Sequence, residues 1–383
     1  MDIRYAPQLS SPLPFMAPAR PSIHLPEDVV TLDGDSIRQR DRELQVGLDI
    51  YQANPAWQSL PGGLRVQNGH PEATLAIIDL FGMQGPGNTP AHGEGVAALA
   101  QRASGQGEEN ILRLDVGAVP SEWAVNFATI NRENFSSDLD RLISRFYIGG
   151  ATVATQGLRE IREHHPNIRT VNQSMGVNGP SILANLAESS ERFEPLRQDL
   201  CRELGLPAGT HFNLNNPEAL AALARRVQSG LQKSPEVAEA RRNLQEELER
   251  GRGQYTYFNS AGNHGIYQTV LAQAGFQFDR EFQGNAPSNS PATQTVGAVG
   301  PFGVQPYSQN VPYAAVNNDQ VRFELDGLQL CGQINPLLIP QREACLPHSG
   351  TSYAAPTVAG LHNREQALRR LRQQALPVSE AAP

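Results

Sequence analysis

Lysine is almost missing from this chain. Lys233 is the only one, and the other 30 of the 31 basic residues are arginine. A GC-rich genome accounts for that bias. The sharper alternative is selection against lysine modification in a protein delivered into a eukaryotic cytosol, since arginine keeps the charge without the reactive amine. There is no basic tract and the formal net charge is −8, which argues against nucleic acid as a partner. Long apolar runs are absent, so no membrane span is expected. Cysteine is scarce. Cys201, Cys331 and Cys345 lack zinc-type spacing, and an odd, low count points to a reducing compartment with free thiols, a Cys331–Cys345 bridge being the alternative. Met1 to Pro21 lack a charged start followed by a long apolar core, so no secretory signal peptide is read there.

What is present is enough apolar residue, 39% of 383, for one large α/β domain or two small ones. Residues 1–28, rich in Pro, Ser and Ala, read as a disordered arm, and 376–383 as a flexible tail. Ser36 to Gln52 reads as a helix with Ile37, Leu44, Leu48 and Tyr51 on one side. Leu75 to Ile78 is an apolar run ending at Asp79, as in a buried parallel strand. A Gly/Pro-rich loop from Phe81 to Ala91 follows, and His92 opens a helix. Ile111 to Leu114, Ile168 to Asn172, Tyr255 to Phe258 and Thr293 to Val299 read as strands; Ser137 to Tyr147 and Ala151 to His165 read as two helices. About 179–253 is mostly helical. Asn216-Pro217 and Ser234-Pro235 each put an N-cap before a proline at the first helical position. Its stripes, Leu220, Leu223, Ala224, Val227 and then Val237, Leu244, Leu248, suit an insertion packed on the main domain; the heptads are too few for a coiled-coil arm. Ser349 to Ala355 opens a last helix, with Pro356 expected in its first turn. The alternation implies an α/β fold, a mostly parallel sheet covered by helices on both faces. Functional residues in such folds sit at strand ends and helix starts.

Four stretches carry chemistry at such points: Ile78-Asp79, His92-Gly93, Ala261-Gly262-Asn263 and Gly350-Thr351-Ser352-Tyr353-Ala354-Ala355-Pro356. Ser352 would stand at a helix start, where backbone dipoles favour a developing anion. Taken singly, Asp79 reads as an N-cap or loop carboxylate, His92 as a surface histidine, Asn263 as a turn residue and the serine stretch as a loop. Taken in the order Asp, His, Asn, Ser, they resemble the subtilisin-like serine peptidases. Val171-Asn172-Gln173-Ser174-Met175-Gly176 is similar to that family's substrate-binding strand, and Thr295 to Val299 to a core strand.

The resemblance runs from about Thr74 to Gly360, with insertions. It implies a subtilisin-like peptidase domain over 29–375 that takes a protein or peptide substrate; the sequence itself supports no cofactor and no metal ligand set, calcium included. Ser352 is then the nucleophile, His92 the general base, Asp79 the residue that holds the imidazole, and Asn263 the oxyanion donor. Ser174, Met175 and Gly176 would pair with substrate main chain, and His264 would stand beside the first specificity pocket. There are departures. Asp79 and His92 are only 13 positions apart, so the family's calcium loop between them is not expected. Leu80-Phe81-Gly82 replaces small residues, Glu94 replaces Thr and Ser349 replaces Asn. With 78 residues before Asp79, no large prodomain is expected. The location implied is the cytoplasm, or export without a signal peptide as an effector. The competing classes are a non-catalytic peptide-binding scaffold and an esterase with 179–253 as a lid.

Overall fold

The computed structural model describes residues 57–60, 63–67, 71–81, 83–84, 89–107, 110–116, 127–285, 293–300, 303–309, 321–325 and 350–375. The arm 1–28, the helix read at Ser36 to Gln52, Cys331, Cys345, Ser349 and the tail 376–383 lie outside the described residues. Two three-residue strands, β1 (Trp57–Ser59) and β2 (Arg65–Gln67), precede β3 (Leu75–Asp79), whose five residues are all buried. A short hairpin, β4 (Met83–Gln84) and β5 (Thr89–Pro90), lies in the loop before His92. Then come β6 (Ile111–Asp115), β7 (Thr170–Gln173), β8 (Thr256–Ser260), β9 (Thr293–Gly300), β10 (Gly303–Val304) and β11 (Val321–Leu325).

The main sheet runs β1-β2-β6-β3-β7-β8-β9-β10, with β11 also on β9. Strands β6, β3, β7, β8, β9 and β11 are parallel, while β1, β2 and β10 join antiparallel. From β3 the chain passes to β6 on one side and then to β7 on the other. The carboxyl end of β3 therefore lies where the winding reverses, which is where open α/β sheets hold ligands.

The helices are α1 (His92–Ser104), α2 (Phe135–His164), α3 (Gly179–Arg192), α4 (Glu194–Glu203), α5 (Pro217–Lys233), α6 (Pro235–Gly251), α7 (Gly265–Gln273), α8 (Arg280–Gln283) and α9 (Thr351–Ala375). Successive strand residues face opposite sides of a sheet. Accordingly Leu75 and Ile77 cluster with Val96, Ala97 and Ala100 of α1 and with Ala354, Ala355 and Ala359 of α9. Ala76 and Ile78 belong to the opposite cluster, with Leu158 of α2, Leu223 of α5 and Leu244 of α6. Helices thus cover both faces, and the apolar stripes of 179–253 join the cluster on the Ala76 and Ile78 side, with α5 and α6 packed against α2. The expected caps form: Asn216 Oδ1 accepts the Ala219 N–H at 3.3 Å and Ser234 Oγ the Val237 N–H at 3.2 Å. Among the described residues no helix is long and apolar enough to cross a membrane.

Two details differ from the sequence expectation. A single helix, α2, replaces the two read at 137–147 and 151–165. It continues through Gly149-Gly150 because Gly150 is packed directly against Val177, a tertiary contact that offsets the conformational cost of glycine. Pro356 falls in the second turn of α9, inside the helix. Lacking an N–H, it withholds the usual i+4 donor from the Ser352 carbonyl.

Candidate active site

Asp79 ends β3 and is fully buried. Its Oδ1 accepts the Leu80 N–H at 2.7 Å and lies 2.8 Å from His92 Nδ1. His92 is the first residue of α1. The Gly93 N–H donates to the Leu80 carbonyl at 2.6 Å, and a β-carbon on Gly93 would lie 2.4 Å from that oxygen, so only glycine lets the helix start this close to the end of β3. Burial by itself would lower the His92 pKa. The hydrogen bond to Asp79 and the Asp79 charge outweigh it, and the net value lies above the ordinary 6.5. With Nδ1 given to Asp79, Nε2 is the nitrogen left for proton transfer.

Asn263 stands in the loop between β8 and α7, exposed. Its Oδ1 accepts two bonds from Thr351, from N–H and from Oγ1–H, each 2.9 Å long. Thr351 Oγ1 in turn accepts the Gly262 N–H at 3.1 Å; Gly262 has φ +101°, a left-handed conformation that suits glycine. The clasp turns the amide oxygen of Asn263 toward α9 and leaves its Nδ2 to donate to a ligand. Ser352 is the second residue of α9 and half-buried, in a first turn closed by Tyr353 N–H and Ala354 N–H on the Gly350 carbonyl, at 3.0 and 3.3 Å. N–H groups at such a helix start have no acceptor within the helix. Tyr353, next to Ser352, has its ring 5.3 Å from that of His92. Asp79, His92, Asn263 and the Thr351–Tyr353 turn are therefore one neighbourhood. Among the described residues no hydrogen bond joins His92 to Ser352.

Residues 174–176 are tied to the same region. Ser174 is buried, and its carbonyl accepts Ser260 Oγ–H at 3.0 Å. Met175 and Gly176 are half-buried. The Asn285 side chain packs on Gly176, and its Nδ2 donates to the Ser260 carbonyl at 2.9 Å. Asn178 Nδ2 donates to Asn285 Oδ1 at 2.6 Å and to Gln309 Oε1 at 3.3 Å. These three amides escaped sequence reasoning. Asn178 carries a visible cap signal before Gly179-Pro180, but Asn285 and Gln309 sit in loops without periodicity. His264 precedes α7, and burial lowers its pKa, holding it neutral near pH 7. Among the described residues no group of three or more His, Cys, Asp or Glu is placed to hold a metal ion.

No protein-family model matches the chain, and neither a curated protein nor a solved structure does.

Proposed function

We propose that the protein is a serine endopeptidase of subtilisin-like type, using Asp79, His92 and Ser352 as its triad and Asn263 in its oxyanion hole. One observation supports this: Asp79 bonds His92 Nδ1 at the end of β3, and the turn that bears Ser352, to which Asn263 is clasped, lies beside His92 through the Tyr353 ring. In the proposed reaction His92 Nε2 takes the Ser352 hydroxyl proton as Oγ bonds to the peptide carbonyl carbon. The negative oxygen is met by Asn263 Nδ2 and the Ser352 N–H. The C–N bond then breaks, the amine leaving with the proton from His92. Water, deprotonated by the same imidazole, releases the acyl group and restores Ser352. Asp79 holds the tautomer throughout.

The test is labelling with a fluorophosphonate probe. The native protein is expected to label, and Ser352→Ala and His92→Ala are each expected to abolish labelling. A peptide-binding module without turnover is the second reading, favoured by the missing His92–Ser352 hydrogen bond, although such bonds often tighten only when substrate is present. A folded native protein that stays unlabelled yet binds an extended peptide would decide for it.

A further inference from the structure

The turn after Asp79 is braced from a side that the proposed reaction does not use. Asp115 ends β6 in register with Asp79 at the end of β3. Its Oδ1 accepts the Phe81 N–H at 2.9 Å. Its Oδ2 accepts Arg65 Nε–H at 3.0 Å, and Nη2 of the same guanidinium makes a second bond. Arg65 and Asp115 are 1% and 0% exposed, so the pair is sealed from water. The Phe81 ring is held too, 5.9 Å from the Trp57 ring and 5.6 Å from the Arg113 guanidinium. Leu80 lies between the two carboxylates. Its N–H goes to Asp79 Oδ1 and its carbonyl takes the Gly93 N–H.

We infer that Asp115, held by Arg65, is a positioning residue for the Asp79–His92 pair: by anchoring Phe81 it sets the Leu80 peptides from which the Asp79 carboxylate and the start of α1 are both held. A buried ion pair stabilises a fold poorly compared with apolar side chains of the same size, so stability alone is a weak reason for placing one here. Geometry is a better one. The Phe81 N–H needs an acceptor at this place, and Asp115 Oδ1 supplies it, while Arg65 on Oδ2 neutralises the buried carboxylate. Among the described residues the charged or titratable groups against His92 are Asp79 on β3 and Tyr353 on α9; Glu94, two positions on in its own helix, is 4.0 Å from Arg113. Asp115 acts on His92 only through the turn. Its kinetic consequence rests on the hydrolase reading; its effect on His92 does not.

Two double variants isolate the role. Arg65→Met with Asp115→Asn, and Arg65→Met with Asp115→Leu, both remove the ion pair without stranding a buried charge, but only the first keeps an acceptor for Phe81. Thermal melting checks that each is folded. NMR titration of His92 and the kcat and KM for a peptide substrate are then read. The Asn form is expected to keep the native titration and a kcat within about threefold. The Leu form is expected to lower the His92 titration midpoint and to reduce kcat about tenfold to hundredfold at unchanged KM. A folded Leu form with native titration and kcat overturns the inference, and so does an Asn form that loses as much as the Leu form. Should the Leu form not fold, hydrogen exchange on the native protein decides: a slowly exchanging Phe81 amide supports the clamp and a fast one defeats it. An unlabelled native protein whose Leu form still shifts His92 would sink the hydrolase reading alone.

Discussion

Burial and Asp79 pull the His92 imidazole in opposite directions, and Asp79 prevails. Because the folded pKa exceeds the unfolded one, the protonated imidazole stabilises the fold fully below the ordinary histidine value. That contribution is lost as pH rises through the raised value. Activity runs the other way, since the base must be neutral: kcat/KM is expected to rise with pH on an acid limb above about 6.5. Asp79→Asn leaves burial unopposed. Its His92 titration is expected to fall below the ordinary value and its kcat by about 10⁴-fold; a titration that stays in place would break the link between the two residues. At Asn263, removal of the amide is expected to cost ~10²–10³ in kcat. Thr351→Val, which only loosens the clasp, is expected to cost about tenfold, close to the worth of one hydrogen bond. Steady-state kinetics showing Thr351→Val as damaging as Asn263→Ala would mean that the clasp is more than an orienting device. Asp79, His92, Asn263 and Ser352 were legible as residue types in order. The Thr351 clasp was not, because Thr351 and Asn263 are 88 positions apart.

Helices α1 and α9 begin with the proposed base and next to the proposed nucleophile, so their mutual packing sets the distance between His92 and Ser352. A β-carbon on Gly360 of α9 would lie 2.5 Å from the Ala100 carbonyl and 2.8 Å from the Ala103 β-carbon, both on α1. Gly360→Val is expected to destabilise by about 1–3 kcal/mol and to lower kcat with little change in KM. Calorimetry and kinetics on one preparation check both halves; a stable variant with native kcat would show that the helices can part without moving the site. At this scale the buried strand β3 announced itself as an apolar run, and the caps at Asn216 and Ser234 fixed two helix starts. Strands of two or three residues, such as β1, β2 and the β4–β5 hairpin, are too short for a period to be read.

Over the whole molecule, one apolar cluster joins the sheet to the helices of 179–253: Val171 and Leu158 share it with Leu223 and Leu248, all fully buried. A lid or a separable arm would carry its own core. The segment is therefore expected to unfold with the sheet. Leu223→Ala should cost about 2–5 kcal/mol and shift a single denaturant transition, with helical circular dichroism and probe labelling lost together. Two separated transitions would make 179–253 an independently folding unit.

By itself the sequence determined the alternation of strands and helices, the caps, and the identity and order of the proposed catalytic residues. Each of these is written in local period or residue type, which the chain states within a few positions. Tertiary structure alone decided which groups meet: Asp79 with His92, Thr351 with Asn263, Asp115 with Phe81 and Arg65, and the Asn178–Asn285–Gln309 amides. Such contacts depend on sheet register and helix packing between distant segments. A polar side chain carries no local mark of the partner that will satisfy it once both leave water.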